Sequence, residues 1–280
     1  MAVKSLHLIN TGYFHADGGA MFGATPQSAW KRRYACDEQG RCVLAMHIGL
    51  VIAGNGRIIL IDTGVGDKQL EQLRSTTYQF FDLVDLYEAI GRYGVMPEQV
   101  TDVVLTHLHF DHCGYVTKNE NGRAIPAFPN ATCWVSQSQW ENALCPNPLE
   151  IDSYFPENME AIEQAGKLRL INEDYALCEN DIILRMYDGH TVGQIVPYIQ
   201  TEQFRVVFAG DVIPVAAQIS PKWISGFDIY PLTSYYEKMR LLNEAAENNY
   251  AIVHYHDAYT PCTTIKRINN FFKVDRKIGL

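Results

Sequence analysis

The chain has 280 residues, of which 47% are hydrophobic and 20% are charged, a composition typical of globular proteins. No stretch approaches the roughly 18 uncharged apolar residues of a membrane-spanning helix, and residues 1–10 are too polar for a signal peptide. The net charge of −9, without a Lys/Arg block, argues against a nucleic-acid partner. We therefore expect one domain over residues 1–280, located in the cytosol, that binds a small-molecule substrate and neither nucleic acid nor membrane.

The seven cysteines are an odd number and include no Cys-x-x-Cys pair. Cys36 and Cys42 flank a predicted turn at 37–40, and they could form a disulfide or bind a metal. Free thiols in a reducing cytosol are the simpler interpretation.

Strand patterns dominate both halves of the chain. Residues 45–53 and 57–61 are apolar runs joined through Asn55 and Gly56, which supply the positive φ angles of a tight hairpin. Residues 103–105 form a short β-branched run that is typical of a buried strand. Further strand patterns occur at 182–186, 194–199, 204–208 and 251–253.

Helical patterns interrupt these strands. Apolar residues recur at helical spacing over 83–90 and again over 235–246, where Ser234 and Glu237 form a candidate capping box. A final helix is predicted with the apolar residues of 265–272 on one side and basic residues near its end. Strand-rich halves with outer helices predict a layered arrangement around two sheets.

The most informative segment directly follows the strand predicted at 103–105. His107, His109, Asp111 and His112 place four potential metal ligands within six residues. His107 and His109 can face one cation because alternate residues of an extended chain point the same way. Asp111 and His112 follow where the chain leaves the strand, so they can present a carboxylate and an imidazole to a neighbouring cation.

This His-x-His-x-Asp-His pattern resembles the signature of the metallo-β-lactamase superfamily. The remaining motifs of that family also occur in order, namely Asp62-Thr-Gly64, Gly189-His190-Thr-Val-Gly193, Ala209-Gly-Asp211 and His256-Asp257. The resemblance therefore spans most of the chain. It implies an α+β fold, an αββα sandwich of two mixed β-sheets flanked by helices, with a dinuclear metal site at one edge.

The resemblance also implies a ligand set for two divalent metal ions. One ion would be held by His107, His109 and His190, the other by Asp111, His112 and His256, with Asp211 bridging the two. Imidazole and carboxylate ligands suit zinc, with manganese or iron as alternatives. Asp62 would orient a ligand imidazole or the loop that bears it.

The last ligand is ambiguous because His254 and His256 are two residues apart and would face the same side of a strand. The family's last histidine commonly precedes an acidic residue, and Asp257 follows His256. We therefore favour His256 and keep His254 as the alternative.

The implied reaction is attack of a metal-bridging hydroxide on a lactone or ester carbonyl, as in N-acyl homoserine lactonases, with Asp111 and Asp211 as the catalytic residues. A bridging Asp211 argues against a true β-lactamase. Other candidates are a phosphotriester, phosphodiester or thioester hydrolase of the same fold, a mononuclear iron persulfide dioxygenase, and a non-catalytic metal-binding protein. The complete second ligand set disfavours the dioxygenase.

Two segments, 17–23 and 214–231, are similar to the lactonase-like branch of the superfamily, which includes quorum-quenching lactonases and enzymes related to methyl parathion hydrolase. One departure is Pro214, where acyl-homoserine lactonases often have a tyrosine that assists the oxyanion. Tyr230 or Tyr115 could supply that hydroxyl, although neither belongs to a motif.

The segment 139–165 is rich in aromatic residues and resembles a lid. Its side chains Trp140, Tyr154, Phe155 and Met159 could line an apolar pocket, or they could belong to the core or to a homodimer interface. The candidate substrate contacts over the whole chain are Phe22, Trp140, Trp223, Phe227 and Tyr230.

Overall fold

The computed structural model describes residues 3–73 and 78–280. The strands of the first half are β1 (Val3–Asp17), β2 (Arg41–Ala53), β3 (Ile58–Ile61), β4 (Gln79–Phe81), β5 (Asp102–Val104), β6 (Thr117–Glu120), β7 (Arg123–Pro126) and β8 (Thr132–Ser136). Those of the second half are β9 (Leu168–Ile171), β10 (Tyr175–Cys178), β11 (Ile182–Tyr187), β12 (Gln194–Gln200), β13 (Arg205–Phe208), β14 (Ala251–Val253), β15 (Cys262–Ile268) and β16 (Phe271–Lys277).

The α-helices are mostly short and lie between the strands. They are α1 (Gly18–Phe22), α2 (Gln27–Trp30), α3 (Leu70–Leu73), α4 (Leu86–Gly91), α5 (Phe110–Cys113), α6 (Gln137–Leu144), α7 (Glu160–Gln164) and α8 (Pro231–Asn248). Single 3₁₀ turns occupy Pro97–Gln99, Gly114–Val116, Ile151–Ser153, Pro156–Asn158, Gly210–Val212 and Ala216–Ile219. Within the described ranges, no helix has the length and apolar character needed to cross a membrane.

Two mixed sheets of seven strands each form the centre of the described chain. The first has the order β4-β1-β2-β3-β5-β8-β9. Its last four strands, β3, β5, β8 and β9, pair in parallel. The second has the order β10-β11-β12-β13-β14-β15-β16, in which β13 and β14 pair in parallel. The α+β sandwich implied by the sequence motifs is thus confirmed.

The core lies between the sheets, with a further apolar layer outside each of them. In β3, Ile59 and Ile61 face the inner core, whereas Leu60 packs outward in the cluster that contains α4. In β13, Val207 packs outward in the cluster that contains α8, while its two neighbours face the inner core. This alternation follows from the two-residue period of a strand, and it produces the helix–sheet–sheet–helix layering.

Most of the predicted elements are present. The predicted hairpin forms as β2 and β3, with Ile52 opposite Ile58. The other strand patterns form β5, β11, β12, β13 and β14. The predicted capping box is wrong, because α8 begins at Pro231 and Ser234 lies inside its first turn. Cys36 and Cys42 are both free thiols, in agreement with the simpler interpretation.

The final helix predicted over 265–272 is also wrong. Residues 262–277 form the hairpin of β15 and β16, which turns at Asn269 with a φ of 54°. The β-branched residues Thr263, Thr264 and Ile265 favour a strand, and asparagine tolerates the left-handed conformation of the turn. A few apolar residues at mixed spacing do not distinguish the two structures by periodicity alone.

The parallel pairs β3–β5 and β13–β14 bring the predicted ligand segments together. Asp62 follows β3, and the segment that begins at His107 follows β5. Asp211 follows β13 and His256 follows β14. Because these four strands present their carboxyl ends at one edge of the sandwich, residues distant in sequence meet there.

An ion pair between a partly exposed arginine and a buried aspartate connects the two sheets near the opposite edge. Arg57 binds both carboxylate oxygens of Asp102, through Nε at 2.9 Å and through Nη2. The Asp102 side chain is 2% exposed and also accepts a hydrogen bond from Trp134 Nε1 at 2.8 Å. Arg57 Nη1 donates to the carbonyl of Leu177 in β10 at 2.6 Å, so one guanidinium joins the first sheet to the second.

Replacing Arg57 by methionine should destabilise the protein strongly. The Arg57→Met variant leaves the Asp102 carboxylate buried without its cation, and we expect a loss of roughly 3–5 kcal/mol in the free energy of unfolding, measured in urea. The matched control is Lys266→Met, which removes an exposed pair with Asp275 at 2.7 Å and should change stability little. Equal effects of the two substitutions would contradict this account of the ion pair.

Candidate metal centre

Three imidazoles converge at the edge of the sandwich. His109 Nδ1 lies 3.1 Å from His107 Nε2 and 3.2 Å from His190 Nε2. All three residues are buried, and their ligand atoms can reach a common point. We call His107, His109 and His190 the three-histidine set.

A second group lies beside the first. The Oδ2 atom of Asp111 is 3.4 Å from His256 Nε2 and 3.9 Å from His112 Nε2. Asp111 and His112 belong to α5, which begins directly after His109. We call Asp111, His112 and His256 the mixed set.

Asp211 lies between the two sets. Its Oδ2 atom is 3.3 Å from His190 Nε2 in the three-histidine set. Its Oδ1 atom is 3.5 Å from His112 Nε2 and 3.4 Å from His256 Nε2 in the mixed set. One carboxylate therefore directs one oxygen to each set, an arrangement in which it could bridge two ions.

Two atoms at the centre show that these residues fit metal ions. His112 Nε2 and Asp211 Oδ1 are buried and form no hydrogen bond with any residue of the described ranges. Unpaired polar atoms are costly in a protein interior, and a cation between them would satisfy both. Imidazole and carboxylate donors in this number suit a divalent transition metal.

Each ligand imidazole is also held at the ring nitrogen that faces away from the centre. Carboxylates hold three of the rings, in the pairs His112 Nδ1–Asp62 at 2.9 Å, His190 Nδ1–Asp228 at 3.0 Å and His109 Nε2–Glu150 at 3.3 Å. Uncharged oxygens hold two, in the pairs His256 Nδ1–Ala45 O at 2.8 Å and His107 Nδ1–Thr106 Oγ1 at 3.1 Å. Such partners fix the orientation of a ring and leave its other nitrogen free for a metal.

Asp62 lies directly behind the ligand loop. Its Oδ1 accepts the backbone N–H of Thr106 at 2.7 Å, and its Oδ2 accepts the Thr106 hydroxyl at 2.8 Å as well as His112 Nδ1. The residue is completely buried and has a φ of 57°. One carboxylate thus orients both a ligand ring and the start of the loop that bears the ligands.

Burial and neighbouring charges shift the pKa values of the histidines and aspartates at the centre. Burial lowers the pKa of His107, and the neighbouring His112 lowers it further. For His112, burial also lowers the pKa, but the charges of Asp211 and Asp111 outweigh it and raise the pKa well above its usual value. Burial raises the pKa of Asp211, but His256 and His112 hold it well below its usual range. Bound cations would replace the protons that otherwise balance these carboxylates.

The structure distinguishes between the two candidates for the last ligand. His254 uses both ring nitrogens elsewhere, with Nδ1 3.1 Å from the carbonyl of Ile213 and Nε2 2.9 Å from Thr263 Oγ1. His256 directs Nε2 at Asp111 and Asp211. The geometry therefore favours His256, as the sequence did.

A cavity of about 230 Å³ opens onto the ligands. His109, Asp111, His190, Asp211 and His256 lie on its floor. Its apolar and aromatic lining consists of Phe14, Met21, Leu44, Tyr78, Phe110, Leu149, Pro214, Phe227 and Ile229. The ligand centre therefore faces a mainly apolar space.

Of the five predicted substrate contacts, the structure brings Phe227 to this cavity. Phe22 is fully buried behind it and stacks on Trp30 at 5.2 Å. Trp223 lies away from the lining and carries the Arg33 guanidinium on its ring at 4.5 Å. Tyr230 is 43% exposed at the surface.

The predicted lid residues line a different cavity. Trp140, Tyr154, Phe155 and Met159 surround a separate space of about 190 Å³. Trp140, Tyr154 and Met159 are buried in the outer core of the first sheet. These three side chains therefore belong to the core, the alternative that the sequence left open, whereas Leu149 and Glu150 of the same segment line the cavity above the ligands.

Sequence reasoning missed Glu150, Asp228 and the cavity residue Tyr78. Glu150 lies in the segment read as a lid, and Asp228 lies in the segment that resembles lactonases. Neither belongs to a motif. For Asp228 a signal was available, because it is the single acidic residue of the segment 214–231. Glu150 is one of several acidic residues in 139–165 and had no such signal.

The assignment of the last ligand can be tested by metal content. His256→Ala should lower the metal bound per folded chain after dialysis, because the mixed set loses one of its three ligands. His254→Gln should retain the metal content of the wild type, since neither ring nitrogen faces the centre. Elemental analysis of the folded fraction gives the measurement, and metal loss confined to the His254 variant would reverse the assignment.

The comparisons with known proteins agree with this geometry. The family model of the metallo-beta-lactamase superfamily matches residues 47–118, a range that includes Asp62 and the segment from His107 to His112. The search of curated proteins finds no match for this chain.

Solved structures with the same fold cover nearly the whole chain. A probable metal-dependent hydrolase from Staphylococcus aureus is 27% identical, with a TM-score of 0.87 over 100% of this chain and 99% of the other. The dizinc quorum-quenching lactonase AidC is 19% identical, with a TM-score of 0.79 over 100% and 97%. A variant of AiiA from B. thuringiensis is 22% identical, with a TM-score of 0.72 over 92% and 95%. The last two, being so distant in sequence, support the fold alone. The sandwich, the ordered ligand motifs and the matched range 47–118 thus make the chain similar to the metallo-β-lactamase superfamily and support a metal-dependent hydrolase.

Proposed function

We propose that this protein is a dinuclear metal-dependent hydrolase that cleaves the ester bond of an uncharged lactone or ester. The observation that carries the proposal is the opening of two adjacent ligand sets, joined by Asp211, into an apolar cavity. Metal-dependent hydrolysis is the class that the superfamily and the fold support. The number of metal ions, their identity as zinc and the choice of substrate are our proposals.

Structural relatives support a lactone as the first candidate substrate. AidC is a dizinc lactonase with a product homoserine bound, and the AiiA variant carries N-decanoyl-L-homoserine at its active site. Both share the fold of this chain over more than nine-tenths of its length. Both ligands are acyl-homoserines, which combine an apolar acyl chain with a polar head and so match an apolar cavity above a polar floor.

The residues of the chain supply position, charge and exclusion of water. When bound, two divalent cations would lower the pKa of water towards neutrality and polarise a carbonyl oxygen. Asp211 would keep the two sets in register, since it directs one oxygen at each. Asp111 lines the cavity, so its carboxylate faces the space where a scissile bond would lie.

The lining of the cavity disfavours an anionic group in the part of a substrate that lies away from the metal centre. Among the described residues that line it, none is lysine or arginine, whereas Asp111, Glu150, Asp211 and Asp228 contribute carboxylates. An anionic group held away from the metal ions would meet no cationic side chain. A substrate that carries an anionic group in the apolar part of the cavity is therefore disfavoured. Phosphodiesters, phosphotriesters and thioesters, whose reacting group would bind at the metal ions, are alternatives to the lactone.

The complete mixed set argues against a single-metal oxidase. Asp111, His112 and His256 are all present and lie within reach of one common point. A persulfide dioxygenase of the same superfamily would need one iron alone, and the three residues would then be buried polar groups without a role. We therefore favour hydrolysis over oxidation.

Tyr78 is the tyrosine that we propose as the hydroxyl donor beside the centre. Pro214 lines the cavity but has no hydroxyl, Tyr115 donates to Asp85 at 2.6 Å outside the cavity, and Tyr230 lies at the surface. The Tyr78 ring lines the cavity and packs edge-on against Phe110 at 5.6 Å. Burial and the charge of Asp111 raise the pKa of Tyr78 to about 12, which keeps its hydroxyl protonated.

The preference for neutral substrates can be measured with paired lactones. The purified protein should bind about two zinc ions per chain and open an acyl lactone with an alkyl chain. An otherwise matched lactone with a terminal carboxylate on that chain should show at least a tenfold lower kcat/KM, about 1.4 kcal/mol. Full activity in metal-stripped protein would rule out the proposed reaction, and equal rates for the two lactones would rule out the selectivity.

The role of Tyr78 has a separate test. Tyr78→Phe should lower kcat roughly 100-fold without changing the zinc content, as expected when one donor to a developing oxyanion is removed. Tyr115→Phe removes a hydroxyl outside the cavity and should leave kcat unchanged. A Tyr78→Phe enzyme with wild-type kcat would show that the phenol does not assist the reaction.

A further inference from the structure

The two ligand sets differ in what holds them. In the mixed set, His112 is held by Asp62 directly after β3, and His256 is held by the carbonyl of Ala45 in β2. One partner lies in a central strand of the first sheet and the other directly follows one, and both are fully buried. These two rings therefore depend on the rigid interior of the sandwich.

In the three-histidine set, two of the rings are held by carboxylates from segments that line the cavity. Glu150 accepts His109 Nε2 at 3.3 Å, and Asp228 accepts His190 Nδ1 at 3.0 Å. The two carboxylate side chains are 2% and 4% exposed. We call residues 147–154 and 225–230, which carry them, the first wall and the second wall.

Glu150 is bound to its own wall as well as to the ligand. Its Oε1 accepts the hydroxyl of Tyr154 at 3.1 Å, and its Oε2 accepts Asn142 Nδ2 at 3.0 Å and Asn147 Nδ2 at 2.5 Å. Burial raises the pKa of Glu150, but hydrogen bonds from His109, Thr191 and Asn142 outweigh it and hold the pKa down to about 2. The carboxylate therefore joins the ligand ring to both ends of the first wall.

Asp228 connects the second wall to His190 in a similar way. Besides the bond to the ring, the backbone N–H of Ile229 donates to the carbonyl of His190 at 3.1 Å. The N–H of Tyr230 donates to the carbonyl of Gly189 at 2.9 Å. Phe227 and Ile229 of the same wall face the cavity.

We propose that Glu150 and Asp228 are positioning residues that couple metal binding at the three-histidine set to the ordering of the two cavity walls. A metal that fixes His109 and His190 also fixes their carboxylate partners, and through them the surfaces that contact substrate. Thermodynamic linkage requires the reverse as well, so an ordered wall strengthens metal binding. The inference rests on the metal binding of the proposed function but not on its substrate.

The test compares Glu150→Gln, Asp228→Asn and a matched control, Asp152→Asn. Asp152 is an exposed residue of the first wall, within the 3₁₀ turn Ile151–Ser153. Its substitution therefore removes one negative charge from the same wall without removing a contact to a ligand. Zinc affinity is measured by competition with a chelator. Backbone hydrogen exchange of the two walls is measured with and without zinc.

Glu150→Gln and Asp228→Asn should each remove the effect of zinc on one wall and retain it on the other. We expect the affinity for one of the two zinc ions to fall roughly 10–100-fold in Glu150→Gln and in Asp228→Asn, and to stay at the wild-type value in Asp152→Asn. Zinc should slow exchange in both walls of the wild type. Glu150→Gln should abolish that slowing in the first wall alone, and Asp228→Asn in the second wall alone.

The outcomes separate this inference from the proposed function. A wild-type protein that binds no zinc would overturn the proposed function and this inference with it. Wild-type binding of two zinc ions with less than about a twofold change of affinity in both variants would overturn the inference alone. Loss of protection in both walls of each variant would show a general destabilisation instead of two separate couplings. If Glu150→Gln does not fold, Tyr154→Phe removes one hydrogen bond to Glu150 and should give a smaller change in the same direction.

Discussion

The burial of many charges at one edge of the sandwich is the constraint on which the rest of the structure depends. Asp62 and His112 have no solvent exposure, and Asp211 is 8% exposed. Carboxylates and imidazoles removed from water are stable when each is hydrogen-bonded and the charges balance. The chain meets the first condition by giving every ligand ring an oxygen partner on its outer nitrogen. The second condition is met when cations occupy the centre.

The backbone around Asp111 and His112 is packed closely, so the fold itself sets the positions of these two ligands of the mixed set. The N–H of Thr63 donates to the carbonyl of His112 at 2.7 Å, which ties the loop after β3 to α5. A β-carbon at Gly114 would lie 1.9 Å from the carbonyl oxygen of Val65, so no other residue fits there. Two loops that are about fifty residues apart in sequence thus form one packed unit. Pre-organisation of this kind reduces the entropy lost on metal binding.

Local patterns made part of this structure predictable. The ligands from His107 to His112 lie within six residues, and an extended backbone after the strand points the side chains of the first two the same way. Their spacing therefore indicated a metal site. The hairpin of β2 and β3 followed from alternation and an Asn-Gly turn. The predictions failed where the outcome depends on packing between distant segments. Glu150 and His109 are 41 residues apart, and Asp228 and His190 are 38 apart, with no motif to relate them. The hairpin of β15 and β16 was mistaken for a helix because its apolar residues have no clear period.

The arrangement of these supports limits how the activity of such a protein can change. The range matched by the family model contains Asp62, which holds His112, but neither Glu150 nor Asp228. The walls that carry those two carboxylates also supply Leu149, Phe227 and Ile229 to the cavity. A substitution that reshapes a wall for a new substrate therefore also acts on the carboxylate that orients His109 or His190. Under the proposed coupling, a substitution in either wall changes both the substrate selectivity and the metal affinity. The mixed set is held by buried residues of the first sheet, so its metal affinity does not depend on the walls in this way.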